Sequence, residues 1–155
     1  MFKVSFKNIE ELKEFLDNSD YDEVKFCVNP DYIEAIMGVS DEGKIIYNYD
    51  AMVRHLVAIY EKEADCEDPY TDAVEWIDYN CNIPYWEIVY CEEIEEDGIE
   101  TIIPELSDKF NDYKNTIIGQ NTYGELLINS EYVTDQNIED IENILNGYYV
   151  DYKIV

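Results

Sequence analysis

Apolar and polar positions change period several times along the chain, and each change marks an element. Phe2, Val4 and Phe6 alternate with Lys3 and Ser5, a two-residue period that predicts a strand. Asn8 then caps a helix, with Glu11 completing a capping-box pattern, and Ile9, Leu12, Phe15 and Leu16 give that helix one apolar stripe. Asp17 to Asp20 ends it. Strands are predicted at 23–28, 33–39 and 44–48, the last two joined by Asp41-Glu42-Gly43, where glycine supplies the positive φ of a tight turn. Asp50 is read as the cap of a second helix, on which Val53, Leu56, Val57 and Tyr60 fall at helical spacing. A third helix opens on Pro69, a position whose amide would be unpaired anyway, carries Ala73, Val74, Trp76 and Ile77, and stops at Asn80.

Beyond Pro84 the run Tyr85 to Cys91 is strongly strand-forming, and Glu96-Asp97-Gly98 predicts a hairpin returning through Ile99 to Ile103. A short helix is expected after Ser107. Thr116–Ile118 and Glu125–Ile128 read as paired strands around Asn121-Thr122-Tyr123-Gly124. The last helix, Asp135 to Asn146, carries Ile138, Ile141, Ile144 and Leu145, with Gly147 as its stop and an alternating strand at 148–155. Helices and hairpins are interspersed without a regular βαβ repeat. The expectation is an α+β fold: residues 1–155 as a single compact domain of antiparallel hairpins packed against about four helices, or two small lobes with a soft boundary near 80–84. No internal repeat or low-complexity segment stands out.

Composition first raises and then removes the possibility of disorder. The chain has 37 Asp and Glu against 10 Lys and Arg, a formal net charge of -27 over 155 residues. Yet 46% of residues are hydrophobic and 14% aromatic, with 15 Tyr, 5 Phe and 2 Trp, enough to build a core. The N-terminus lacks a long apolar segment and no run approaches a membrane span, so a cytoplasmic protein of a bacterial host cell is expected, and binding to anionic membrane is opposed by the charge. Cys27, Cys66, Cys81 and Cys91 are too sparse for a secreted disulfide scaffold and read as reduced, mostly buried thiols.

The charge is also uneven. No Lys or Arg lies between Lys62 and Lys109, while 16 acids fall in that interval. Such a surplus exceeds what solubility needs and repels itself in the compact state. Duplex DNA carries one charge per about 1.7 Å, so the surplus matches about 45 Å of duplex. Two clusters stand out: Glu61, Glu63, Asp65, Glu67 and Asp68, and Glu92, Glu93, Glu95, Glu96, Asp97 and Glu100. Each is a phosphate-like array for the Arg and Lys of a nucleic-acid-binding protein, or a solvated face of an acidic one.

Other chemistry finds little support. Asp17 to Glu23 fails the calcium-loop pattern, with Tyr21 or Val24 at the fifth position depending on the frame. The cysteines lack zinc-knuckle spacing, and no metal site or cofactor is expected. His55, the single histidine, sits beside Arg54 inside the second helix and reads as a surface or half-buried residue. No G-x-G loop or G-x-S-x-G elbow occurs. Paired carboxylates alone do not single out a glycosidase. The aromatic cluster Trp76, Tyr79, Tyr85, Trp86 and Tyr90 reads as an interface hot spot or as a core seam; Trp76 is expected in the core, and Tyr85 and Trp86 fit either. Direct nucleic-acid binding by stacking needs a positive groove that this chain lacks.

One stretch resembles known sequences. Ile36-Met37-Gly38-Val39-Ser40, Gly43-Lys44-Ile45-Ile46-Tyr47, Asp50 with its helix, and Ala73-Val74-Glu75-Trp76-Ile77-Asp78-Tyr79-Asn80 resemble a group of uncharacterised small acidic proteins of Gram-positive bacteria, phages and mobile elements. The resemblance covers residues 36–85; Cys81-Asn82-Ile83-Pro84-Tyr85 is shorter than that pattern and has no Arg. It implies a genomic setting and no activity. The expected function is therefore non-enzymatic: an acidic nucleic-acid mimic that inhibits a basic DNA- or RNA-binding defence protein, a nuclease of the restriction type or a CRISPR effector, through the two acidic clusters. The alternative is an acidic accessory or assembly protein that binds a partner through Tyr85 and Trp86.

Overall fold

A glycine-turned hairpin occurs twice in this chain, once in each of two compact units, residues 2–88 and 89–155. The computed structural model describes residues 2–3, 5–21, 23–90 and 117–155. The fold is α+β.

The first unit runs β1 (Phe2–Lys3), α1 (Ile9–Asp17), β2 (Ile36–Val39), β3 (Ile45–Asn48), α2 (Tyr49–Tyr60) and α3 (Pro69–Asn80). β1–β2–β3 pair antiparallel in sequence order. Asn8 caps α1 by accepting the Glu11 N–H at 2.9 Å, and the Glu11 carboxylate accepts the N–H of Lys7 at 2.9 Å, one residue earlier than a capping box requires. Leu12, on the predicted stripe, is fully buried.

Three predictions in this unit are corrected. Residues 23–28 form no strand: Glu23 has φ 55°, and the Cys27 N–H donates to the Tyr47 hydroxyl at 3.0 Å instead of to a ladder. The predicted strand at 33–39 opens as a 3-10 turn over Ile33–Ala35, entered through Tyr32 at φ 46°, and becomes β2 only at Ile36. Asn48, not Asp50, caps α2: its extended backbone lets its side chain accept the Ala51 N–H at 3.0 Å, while Asp50 lies in the first turn where the helix dipole favours an acid. α3 spans the predicted residues, with Asp68 as its cap and Pro69 at its start. A continuous core joins Leu12, Tyr32, Ile45, Tyr47, Met52, Leu56, Ala73 and Ile77.

β4 (Glu87–Tyr90) leads into the second unit, which continues with β5 (Ile117–Asn121), β6 (Leu126–Ile128), a 3-10 turn at Ser130–Tyr132, α4 (Ile138–Gly147) and β7 (Tyr152–Ile154). β4–β5–β6 are antiparallel, but β7 pairs parallel to β6, so the strands are mixed and not solely antiparallel hairpins. A parallel pair needs a long crossover, and residues 129–151 with α4 supply it. α4 starts later than predicted because Asn137 turns back on the preceding loop, accepting from the Thr134 N–H at 2.7 Å and donating to the Tyr132 carbonyl at 2.9 Å. Gly147 is the last helical residue, and the positive φ after the helix falls at Tyr149, at 57°. Leu126, Ile128, Ile141 and Leu145 form the core of this unit. The predicted boundary at 80–84 lies within the first unit. The predicted hairpin at 96–103 and the short helix after Ser107 lie outside the described residues.

A repeat that does not stand out in the sequence is clear in the backbone. Ile36, Gly38 and Val39 pair with Tyr47, Ile46 and Ile45, with an irregularity between Ile36 and Gly38. Ile117, Gly119 and Gln120 pair with Ile128, Leu127 and Leu126, with an irregularity between Ile117 and Gly119. The turns match in their hydrogen bonds: Ser40 N–H to Lys44 carbonyl and Gly43 N–H to Ser40 carbonyl, against Asn121 N–H to Glu125 carbonyl and Gly124 N–H to Asn121 carbonyl. Gly43 and Gly124 sit at φ 77° and 81°, and Asn48 and Asn129 cap the turn of helix after each hairpin. The identical residues are Ile, Gly, Gly and Asn at 36, 38, 43, 48 and at 117, 119, 124, 129.

Candidate functional site: an acidic groove on the third helix

α3 is amphipathic in two senses. Ala73 and Ile77 are buried, while Asp72, Glu75, Trp76 and Tyr79 recur at the three- and four-residue spacing of another face. The 61–68 connection returns the chain from α2 across that face. Together they line an open groove of about 900 Å³ whose side chains include Glu63, Asp65, Asp72, Glu75 and Asp78 and three aromatic rings (Tyr60, Trp76 and Tyr79), with no Lys or Arg among the described residues. Tyr79 is 89% exposed.

Local hydrogen bonds fix the walls. Asp68 accepts the Thr71 N–H at 3.2 Å and its hydroxyl at 2.8 Å, and these bonds hold the Asp68 carboxyl below the usual carboxylate range. The Cys66 thiol donates to Asp72 at 3.0 Å; that bond, with some burial and the charges of Asp72 and Glu63, pushes the thiol up to about 11, so it stays protonated at neutral pH. Tyr60 is raised by burial first and then by Glu63 and Asp72. The Tyr49 hydroxyl of α2 donates to Asp78 at 3.2 Å. Asp78 stands in the last turn of α3, where the helix dipole disfavours an acid, and Asp72–Glu75 and Glu75–Asp78 are like-charged pairs that each cost an isolated helix about 0.2–0.5 kcal/mol. The arrangement is unfavourable for the helix itself and gains from a cation.

The structure sorts the predicted site residues. Glu63 and Asp65 line the groove; Glu61 closes α2 as its C-cap, Asp68 caps α3, and Glu67 is exposed outside the lining. Glu92, Glu93, Glu95, Glu96, Asp97 and Glu100 lie outside the described residues. Trp86 is half-buried: its indole N–H donates to the Cys81 carbonyl at 2.9 Å and its ring meets Tyr47 edge-on at 6.0 Å. Tyr85 beside it is 57% exposed. Asp72, Glu75, Asp78 and Tyr60 join the site unpredicted, although the helical spacing of 72, 75, 76 and 79 was legible, and Tyr79 joins it from the aromatic cluster. Trp76 packs against the core, as expected, and also lines the groove. His55 is half-buried, its ring 5.6 Å from that of Tyr32.

Among the described residues, no three His, Cys, Asp or Glu side chains gather as a metal-binding group, and no helix is long and apolar enough to cross a membrane. No protein-family model, curated protein or solved structure matches the chain.

Proposed function

We propose that this chain is a non-enzymatic acidic inhibitor that occupies the nucleic-acid-binding surface of a basic defence protein, a restriction-type nuclease or a CRISPR effector. One observation carries the reading: the α3 groove, where five carboxylates and three rings line one surface with no cationic side chain among the described residues, in a chain of net charge -27. Arg and Lys side chains entering it would pair with the carboxylates through charge-assisted hydrogen bonds and stack on Trp76, Tyr60 and Tyr79. The wider negative field would speed encounter with a positive surface and repel nucleic acid from it. A phage or mobile-element origin, which the resemblance of residues 36–85 implies, suits such an inhibitor.

The test is affinity capture from a bacterial lysate at low and high salt, with and without competing duplex. The expected result is a nucleic-acid-binding protein that salt releases and duplex displaces, since exposed ion pairs are screened within about 10 Å at 0.1 M salt. A partner retained through high salt and indifferent to duplex would overturn the reading.

A further inference from the structure

Next to the groove, sharing Trp76 and Asn80 with it, lies a pocket that holds a pair of cysteines. Cys27 and Cys81 are 54 positions apart in sequence, both buried, and both line one small pocket of about 300 Å³. Cys27 is on the irregular segment before β2, and Cys81 is the C-cap of α3. Two tyrosines hold them from the core side. The Cys27 N–H donates to the Tyr47 hydroxyl at 3.0 Å, and the Cys81 thiol lies 4.0 Å from the Tyr32 hydroxyl, with the two rings edge-on at 6.4 Å. Tyr32 is fully buried and keeps a left-handed backbone at φ 46°, a conformation a bulky residue adopts only when its surroundings impose it. Asn29 and Asn80, both exposed, stand at the same pocket, so it opens to solvent.

We infer that Cys27 and Cys81 form a redox-active dithiol that closes to a disulfide when the folded protein meets a peroxide. The shared pocket and the Tyr47 and Tyr32 side chains behind it bring the two cysteines together. Cys27 is held up as a thiol by the neighbouring Cys81 and by burial, whereas Cys81 is lowered by the neighbouring Cys27 and Tyr32. That ordering makes Cys81 the attacking sulfur. The Cys81 thiolate takes the terminal oxygen of hydrogen peroxide, the O–O bond breaks, and hydroxide leaves and is protonated to water. Cys27 sulfur then attacks the resulting sulfenic acid; the S–O bond breaks, and the departing hydroxide takes the Cys27 proton as a second water. Two thiols lose two electrons and the peroxide gains them. The link ties the 27 segment to the end of α3, whose Trp76 and Asn80 line both this pocket and the acidic groove. The dithiol stands independently of the partner proposed above.

The test uses the full chain carrying Cys66→Ser and Cys91→Ser, treated folded with hydrogen peroxide, alkylated, digested with trypsin and read by mass spectrometry. The expected product joins peptides 26–44 and 63–109, lacks two hydrogens, and separates on dithiothreitol treatment. Adding Cys27→Ser is expected to stop the reaction at a dimedone-reactive sulfenic acid on Cys81. If the substituted chain does not fold, the wild-type chain cut also at Glu67, Glu75 and Glu87 separates Cys66, Cys81 and Cys91 onto different peptides. Absence of the 27–81 link in the folded protein, or its formation at the same rate in urea, overturns the inference.

Discussion

In the hairpin of the first unit, Ile36, Gly38 and Val39 face Tyr47, Ile46 and Ile45; in that of the second, Ile117, Gly119 and Gln120 face Ile128, Leu127 and Leu126. Both place a left-handed glycine at the turn and an asparagine cap where the second strand ends. Past that cap the two units diverge. Asn48 caps a twelve-residue helix that packs beside α3, and these two helices carry the acidic groove. Asn129 caps a single 3-10 turn, and the chain then crosses over through α4 to lay β7 along β6. One hairpin design therefore serves two ends: support for the helical face that carries the groove in the first unit, and a strand edge covered by its own chain in the second.

The largest effect that could break this equivalence is in the cores. Ile45 and Leu126 hold matching positions and are both fully buried. Ile45→Ala and Leu126→Ala are each expected to cost about 2–5 kcal/mol in urea unfolding. A cost for one and none for the other would show that the hairpins carry unequal structural weight.

The turn glycines sharpen the comparison by separating backbone from packing. An L-residue at either positive φ costs about 1–2 kcal/mol. A Cβ at Gly43 would also come within 2.9 Å of the Tyr21 ring, whereas at Gly124 its nearest neighbour is the flexible Gln120 amide at 3.7 Å. Gly43→Ala is therefore expected to destabilise more than Gly124→Ala, and equal thermal shifts would contradict the crowded turn.

The smallest effect concerns acid. Asp68 caps α3 in the first unit with a carboxyl lowered by Thr71, while the second-unit helix α4 has Asn137 at its N-cap, which makes no such cap bond. A lowered folded value means that the contribution is present above the ordinary carboxylate range and is lost as pH falls through the folded value. Asp68→Asn is expected to remove a small part of the acid sensitivity, read as a flatter fall in thermal midpoint from neutral pH downward; an unchanged slope would contradict it.

Much of the framework was legible, and for identifiable reasons. Pro69, the Asn8–Glu11 pair and the glycine turns are local signals whose chemistry does not depend on distant parts of the chain. Residues 23–28 misled because a strand-like run was satisfied by the Tyr47 hydroxyl, a partner far along the chain. The parallel β7 was hidden because alternation predicts a strand but not its neighbour. The repeat escaped because its identical positions are few, and the shared features are register and hydrogen bonds. In the site, the 61–68 acids were visible as a cluster, but only Glu63 and Asp65 face the groove. The remaining walls come from Tyr60 at the end of α2 and chiefly from α3, whose apolar stripe dominates the helical pattern and conceals the acidic and aromatic face beside it.

The most direct test compares the two units by charge. An arginine-rich peptide is titrated into three proteins: wild type, a groove variant with Asp72→Asn, Glu75→Gln and Asp78→Asn, and a control with Glu131→Gln, Asp135→Asn and Glu139→Gln in the second unit. The last three are exposed acids, and both variants remove three negative charges. The groove variant is expected to lose binding at least tenfold, corresponding to about 1.4 kcal/mol, and to show a shallower salt dependence, while the control stays near wild type. Equal losses in both variants would mean that net charge alone attracts the peptide, and the groove would not be the site.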